Sequence, residues 1–399
     1  MIYVHVPFCR SFCTYCDFYS EVAARCRNAQ DAARQESAFG RYAEALEAEI
    51  RARKSEIQQS CAADGVSTIY IGGGTPSVLP LGVLRQIVDA LKDALANREL
   101  TEFTVEVNPE DIVDKGVSYV EGLLALGVNR ISMGIQSFDD SILKWMNRRH
   151  DSLTAVKAYG ILESAGVENI SIDLIFGLPQ ISEDLWRETL KRALNISSHG
   201  LMPRHISSYQ LSVEPGSMLA RMVDKGMWNE ASDELCQKQY MILCEVLGDA
   251  GYNHYEISNF ALPGYEAVHN SAYWKHVPYI GLGPGAHSFV EMPSEADAAY
   301  VRKWNADNLE EYIRAAEKGD FSDICGSEIL SEEQMRIETV MLGLRTASGL
   351  REEELHGCCD AGAVDAALEC GDLIMEHEGR FRIPESRFFI SDNIISSII

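Results

Sequence analysis

The 399-residue chain has no run of about eighteen apolar residues, so no segment reads as a membrane-spanning helix. It also has little positive charge. Lys and Arg number 35 against 60 Asp and Glu, for a formal net charge of -25. Such a field repels phosphate backbones and anionic lipid, which argues against a nucleic-acid or membrane-surface binder. The start, "MIYVHVPF", lacks the basic and long apolar regions of a secretory signal. The 11 cysteines are odd in number and irregular in spacing, unlike a secreted disulfide framework. The expectation is a cytoplasmic protein with reduced thiols, long enough for two or three domains.

Strand and helix patterns alternate about six times between Met1 and Ser212. "VSTIYIGGG", "EFTVEVNP", "VNRISMGIQS", "NISIDLIFGLP" and "RHISSYQLS" read as strands, separated by segments such as "LGVLRQIVDALKDAL" with helical spacing. Regular alternation implies parallel strands with helical crossovers. The fold class expected is α/β, a partial (β/α)6 barrel of TIM type, with a doubly wound sheet as competitor. Polar residues collect at the C-terminal ends of the strands, where sites form in such folds. Helices and then a short hairpin close the chain, which suggests a small winged-helix-like α+β domain. The expected division is residues 1–290 for the barrel, 291–324 for a connection and 325–399 for the terminal domain.

"HVPFCRSFCTYCDF" places Cys9, Cys13 and Cys16 within eight residues. A closed zinc site wants four ligands, and neither His5 nor Asp17 is a comfortable fourth. A [4Fe-4S] cluster held by three thiolates leaves one iron open for another ligand. Spacing favours the cluster over zinc or reactive thiols. The other cysteines form no complete ligand pattern, and the adjacent Cys358 and Cys359 read as ordinary helix residues.

The motif around these cysteines closely resembles that of the radical S-adenosylmethionine (SAM) proteins, and the resemblance extends over almost the whole chain. In that family the open iron binds the amino and carboxylate groups of SAM. "GGGTPS" matches the family's glycine segment, placing Gly73, Gly74 and Thr75 beside SAM. The resemblance to the coproporphyrinogen III oxidase-like branch adds Glu106, Gln136, Arg148 and Asp173, with Tyr3, Tyr15 and Gln210 in the same shell. Each has a plainer alternative: acids at strand ends cap helices, an arginine is often a solvated charge, and a glutamine can tie down a loop.

Within that branch, two groups share these residues: oxygen-independent coproporphyrinogen III oxidases and heme chaperones. The oxidases carry a further cysteine where this chain has Phe18, and an extension before the cluster motif, where only eight residues precede Cys9 here. "HNSAYW" (His269 to Trp274) resembles the H-N-x-x-Y-W signature of the chaperones. The implied function is heme binding and transfer by a protein with a SAM-binding cluster; the alternative is radical decarboxylation of coproporphyrinogen in porphyrin biosynthesis. The heme-handling segment would span about 252–288. His269 is the expected heme contact, since neutral imidazole is a good axial ligand, although a histidine among aromatics is more often packed in a core. His287 is a second candidate, expected at the end of the last barrel strand facing SAM. His254 and Cys244 are weaker options. The family implies acceptor hemoproteins, membrane-bound respiratory enzymes among them, and the sequence leaves room for a homodimer.

Overall fold

The structure is a computed structural model that describes residues 1–23, 29–60, 67–198, 200–292, 299–355, 357–376 and 379–399. Six strands form its centre: β1 (Ile2–Val6), β2 (Thr68–Gly73), β3 (Glu102–Val107), β4 (Arg130–Gln136), β5 (Ile170–Phe176) and β6 (His205–Gln210). They pair in parallel and in sequence order, each with the next. A doubly wound sheet would reverse direction at a switch point; uniform progression is the winding of a barrel. The partial (β/α) barrel expected from the sequence is therefore the fold.

The crossovers follow local chemistry. Pro109 does not merely stop β3 but opens the next helix, where its fixed φ and missing N–H are harmless. Asp151 and Ser182 cap later helices by accepting backbone N–H groups. The apolar faces of the helices and the outward-facing strand residues make one continuous core that includes Ile71, Val105, Ile131 and Ile172.

Beyond β6 the sheet continues with β7 (Asn253–Glu256) and β8 (Asn259–Ala261), both antiparallel to their neighbours. At the other edge β9 (Ile280–Leu282) pairs in parallel with β1. A three-stranded antiparallel sheet follows: β10 (His287–Met292), β11 (Ala299–Asn305) and β12 (Cys325–Ile329). It runs across the boundaries expected near residues 290 and 325. The C-terminal part has helices Glu332–Gly343 and Ala361–Cys370 and a small sheet of Leu350–Arg351, Arg380–Arg382 and Ile374–Met375, a winged-helix-like arrangement. Cys358 and Cys359 lie in the turn before the second helix rather than in a helix, because Asp360 caps that helix. Cys26, Cys61 and Val66, the first residue of the strand expected at β2, fall outside the described residues.

One buried carboxylate ties these layers together. Glu49, on helix α1 (Ala29–Ala52), has a side chain 1% exposed and pairs with Arg53 at 3.1 Å. It accepts from the Gly283 N–H at 2.8 Å, Asn305 Nδ2 at 2.9 Å and the Tyr312 hydroxyl at 2.6 Å. Arg53 in turn donates to the Gly281 carbonyl at 2.7 Å and Ser288 Oγ at 3.1 Å. The network holds the β9–β11 region against the barrel. Glu49→Ala takes the acceptor from the buried Gly283 N–H and Tyr312 hydroxyl and leaves Arg53 only Glu56 as a carboxylate partner, and should cost about 3 kcal/mol or more. Urea unfolding would measure it; a loss below about 1 kcal/mol would show that water replaces the carboxylate.

Candidate functional site

The segment after β1 carries the three cysteines and folds back onto the end of β2. Its inner part is fixed by backbone: the Gly74 N–H donates to the Val6 carbonyl at 2.8 Å, and the Thr75 N–H to the Phe8 carbonyl at 2.7 Å. A Cβ at Gly74 would stand 2.7 Å from the Val6 oxygen and 2.8 Å from that of Phe8. Only glycine permits the approach. At Gly73 the φ is +101°, and a Cβ would meet the His5 ring at 2.4 Å. The glycines thus serve the packing of the protein's own loop, in addition to any approach by a ligand.

The loop's outer part is clamped from across the barrel. The Thr14 hydroxyl donates to the Trp145 carbonyl at 2.8 Å, and Asn147 Nδ2 donates to the Phe12 carbonyl at 2.7 Å. Arg148 extends from this clamp beneath the cysteines. Its Nη1 lies 3.5 Å from Cys13 Sγ, while Nη2 donates to Asn108 Oδ1 and to the Gly134 carbonyl, both at 2.6 Å. Thr75 Oγ1 points at Cys9 Sγ from 3.4 Å. Burial pushes the Cys9 thiol up, and takes that of Cys16 up to about 12. Burial works against the charge of Arg148, but Cys13, Tyr15 and Glu110 outweigh it and hold the guanidinium firmly charged.

A cavity of about 510 Å³ opens between this loop and the strand ends. Cys9, Cys13, Cys16, Tyr15, Gly73, Gly74, Thr75, Glu106, Gln136, Arg148, Asp173 and Gln210 all line it. The sequence reading of these residues as one pocket is what the structure brings together. Glu106 accepts from the Tyr70 hydroxyl at 2.7 Å and the Gly73 N–H at 3.2 Å. Burial first, and the neighbouring Asp173 second among the raising influences, push its pKa up to about 7. Asp173 accepts from Ser132 Oγ at 3.1 Å and is likewise raised by burial. Gln136 sits at φ +69° beside a break in register between β4 and β5, an uncommon backbone for this residue type.

Residues overlooked in the sequence share these walls: Asn108, Arg130, Ser132, Ser207 and Tyr209. The signal was present in "RISMGIQ". Arg130, Ser132, Gly134 and Gln136 alternate with buried Ile131, Met133 and Ile135, the period-two pattern of a strand with one polar face.

Three expected residues lie elsewhere. Tyr3 and His287 line a second cavity, of about 1020 Å³, instead of the first. Tyr3 donates its hydroxyl to His5 Nδ1 at 3.0 Å, which turns it away from the thiols. His287 opens β10, after the last parallel strand β9, and that offset carries it out of the first cavity. His269 lines neither. It is 1% exposed, with Nδ1 bonded to Thr68 Oγ1 at 2.7 Å and Nε2 to the Tyr273 hydroxyl at 3.0 Å. Burial, then the N-terminal ammonium and Arg130, push its pKa down to about 3. The heme contact expected of His269 finds no open ring edge here. Cys244 and His254 sit 3.8 Å apart near Glu385, also outside both cavities.

With this geometry in view, the comparisons are specific. The model of the radical SAM superfamily matches residues 3–193. The heme chaperone HemW of Lactococcus lactis is 32% identical over 354 residues, spanning 89% of this chain and 83% of that protein. The Bacillus subtilis heme chaperone HemW is 32% identical over 353 residues, 88% of this chain and 84% of that protein. The chain belongs to the HemW family of radical SAM proteins. Its fold is also that of coproporphyrinogen III oxidase (HemN) from Escherichia coli, with a TM-score of 0.74 at 21% identity, covering 99% of this chain and 89% of that one.

Membership implies a [4Fe-4S] cluster and SAM, and the residues fit both. Cys9, Cys13 and Cys16 supply three free thiols, one short of the closed four-ligand set of a structural zinc site and the number that leaves one iron of a [4Fe-4S] cluster open. Arg130 Nε and Arg148 Nε are buried donors without partners in residues that line the cavity, and a bound carboxylate can satisfy such groups.

Two outcomes follow. Cys13→Ala should abolish iron–sulfur absorbance after anaerobic reconstitution while leaving the far-ultraviolet circular dichroism unchanged, because one partly exposed loop thiol contributes little to the core; a full cluster in the variant would refute the ligand assignment. The second concerns pH. With its carboxyl raised from 4.5 to about 7, Glu106 in the cofactor-free native state holds a proton that the unfolded state has released, so stability falls as pH rises between those values. Glu106→Gln should make that decline shallower in denaturant titrations, and an unaltered slope would place Glu106 in the ordinary carboxylate range.

Proposed function

We propose that this protein is a heme chaperone: it binds heme and delivers it to acceptor hemoproteins, respiratory ones among them, and carries a SAM-binding [4Fe-4S] cluster. The observation that carries the reading is the continuity of its similarity to heme chaperones, 88% or more of the chain in relatives from Lactococcus, Synechocystis and Bacillus. Phe18 supports it, standing where the oxidases carry a further cysteine; it is 65% exposed at the border of both cavities. A cytoplasmic setting agrees with nine free cysteines among the described residues. No helix among those residues is long and apolar enough to cross a membrane.

The cluster, when bound, supplies an electron and an open iron for SAM. The chain's own residues do the rest of the work around it. Arg148 offsets thiolate charge beside Cys13. Glu106 and Asp173 are buried carboxyl groups whose charged form burial disfavours, and a cationic amino group held beside them would favour that charged form. The loop's backbone contacts to Val6 and Phe8 keep that wall fixed.

The test is a paired assay on anaerobically reconstituted protein. Heme is titrated by absorbance, and coproporphyrinogen III is incubated with SAM and a reductant. Stoichiometric heme binding without conversion of coproporphyrinogen is expected. Conversion accompanied by weak heme binding would make the chain an oxidase and overturn the chaperone reading.

A further inference from the structure

The second cavity lies on the far side of the cysteine loop, between β1, helix Val268–Trp274 and the hairpin of β10 and β11. Its volume of about 1020 Å³ is at the upper end of the range for small-molecule sites, roughly 300–1,000 Å³. The walls are aromatic: Tyr3, Phe18, Tyr273, Tyr279 and Trp304 contribute rings. Flat apolar walls of this kind match the faces of a large planar ligand.

Two histidines line the cavity, and they differ in what their rings are doing. His5 is 4% exposed and spends both nitrogens, accepting from Tyr3 at 3.0 Å and donating to the Tyr19 carbonyl at 2.8 Å. The His287 ring is exposed, stacks on Trp304 with centroids 6.0 Å apart and planes 24° apart, and makes no hydrogen bond to the described residues. An unoccupied imidazole at the start of a well-anchored strand is what iron ligation requires. Arg53 and Glu49 anchor β10 and β11 beside it through Ser288 and Asn305.

We infer that this second cavity is the heme site and that His287 is the axial ligand to the heme iron. The inference rests on the chaperone reading and gives it a location. The cavity is lined by Asp17 and Asp307 but by no lysine or arginine among the described residues. Heme propionates therefore have no counter-ion inside, and the ring enters with its propionate edge left in solvent. A site held by ring contacts and one imidazole, without salt bridges to the propionates, also suits a protein that must release its cargo.

The test is a heme titration of the wild type and His287→Ala, with the Soret band and dissociation constant as readouts. One heme per chain is expected for the wild type. The variant should bind at least about tenfold more weakly and lose the imidazole-ligated Soret position, and added free imidazole should restore that position. Metal-free protoporphyrin, which has no iron to ligate, should bind both proteins equally. An identical heme spectrum and affinity in the variant would overturn the His287 assignment while leaving the chaperone reading standing. Equal weakening of heme and metal-free porphyrin would make His287 a wall residue and likewise overturn it. A wild type that binds no heme would sink both readings.

Discussion

Two backbone hydrogen bonds decide where the thiols stand: Gly74 N–H to Val6 and Thr75 N–H to Phe8. They join the cysteine loop to the end of β2 as though it were a further piece of sheet. The joint works because position 74 has no Cβ. Beneath it, Phe8 packs edge-on against Phe39 and Tyr42, and the Tyr42 hydroxyl donates to the His5 carbonyl at 2.7 Å. The loop is therefore mounted on the hydrophobic core, although its cysteines face a cavity. Without that mounting the clamp from Asn147 and Arg148 would hold a mobile segment rather than a wall.

The barrel interior is polar at a cost the fold meets locally. Arg130 is 1% exposed and stands among Glu106 and Asp173, whose carboxyl groups its charge favours. Burial nevertheless dominates both acids and raises them. The interior so balances opposed charges within reach of one another, and leaves two guanidinium N–H groups unspent. An unsatisfied buried donor costs about 1–3 kcal/mol. Such a cost is retained where a ligand can recover it, and both groups belong to residues lining the same cavity.

Much of this was legible in the sequence, for physical reasons that differ between parts. The barrel was readable because six apolar strand patterns alternate with amphipathic helices. Glu106, Gln136 and Asp173 were found through the family resemblance. Arg130 and Ser132 were not, because attention to strand ends overlooks an inward face running the whole length of β4. Tyr3 and His287 were assigned to the wrong cavity, since no local pattern announces that the chain returns after β9 as a hairpin and creates a second hollow behind β1. His269 was chosen for its motif. Its burial depends on Thr68 and Glu102, contacts made from distant elements that spacing cannot show, and on Tyr273 one turn along the same helix.

Those contacts give the H-N-x-x-Y-W segment a structural reason. The Glu102 carboxylate accepts from the backbone N–H groups of Val268 at 2.8 Å and His269 at 3.1 Å, pinning the helix start to β3. The His269 ring then fixes Thr68 on one side and Tyr273 on the other. With the helix so held, Asn270 reaches the first cavity and Tyr273 the second. The cysteine loop is shared in the same manner: Asp17, Phe18 and Ser20 line both. A displacement of either element must alter both cavities at once, because each is one side of a common partition. The two hollows share these walls, while the His269 ring that fixes the helix lines neither.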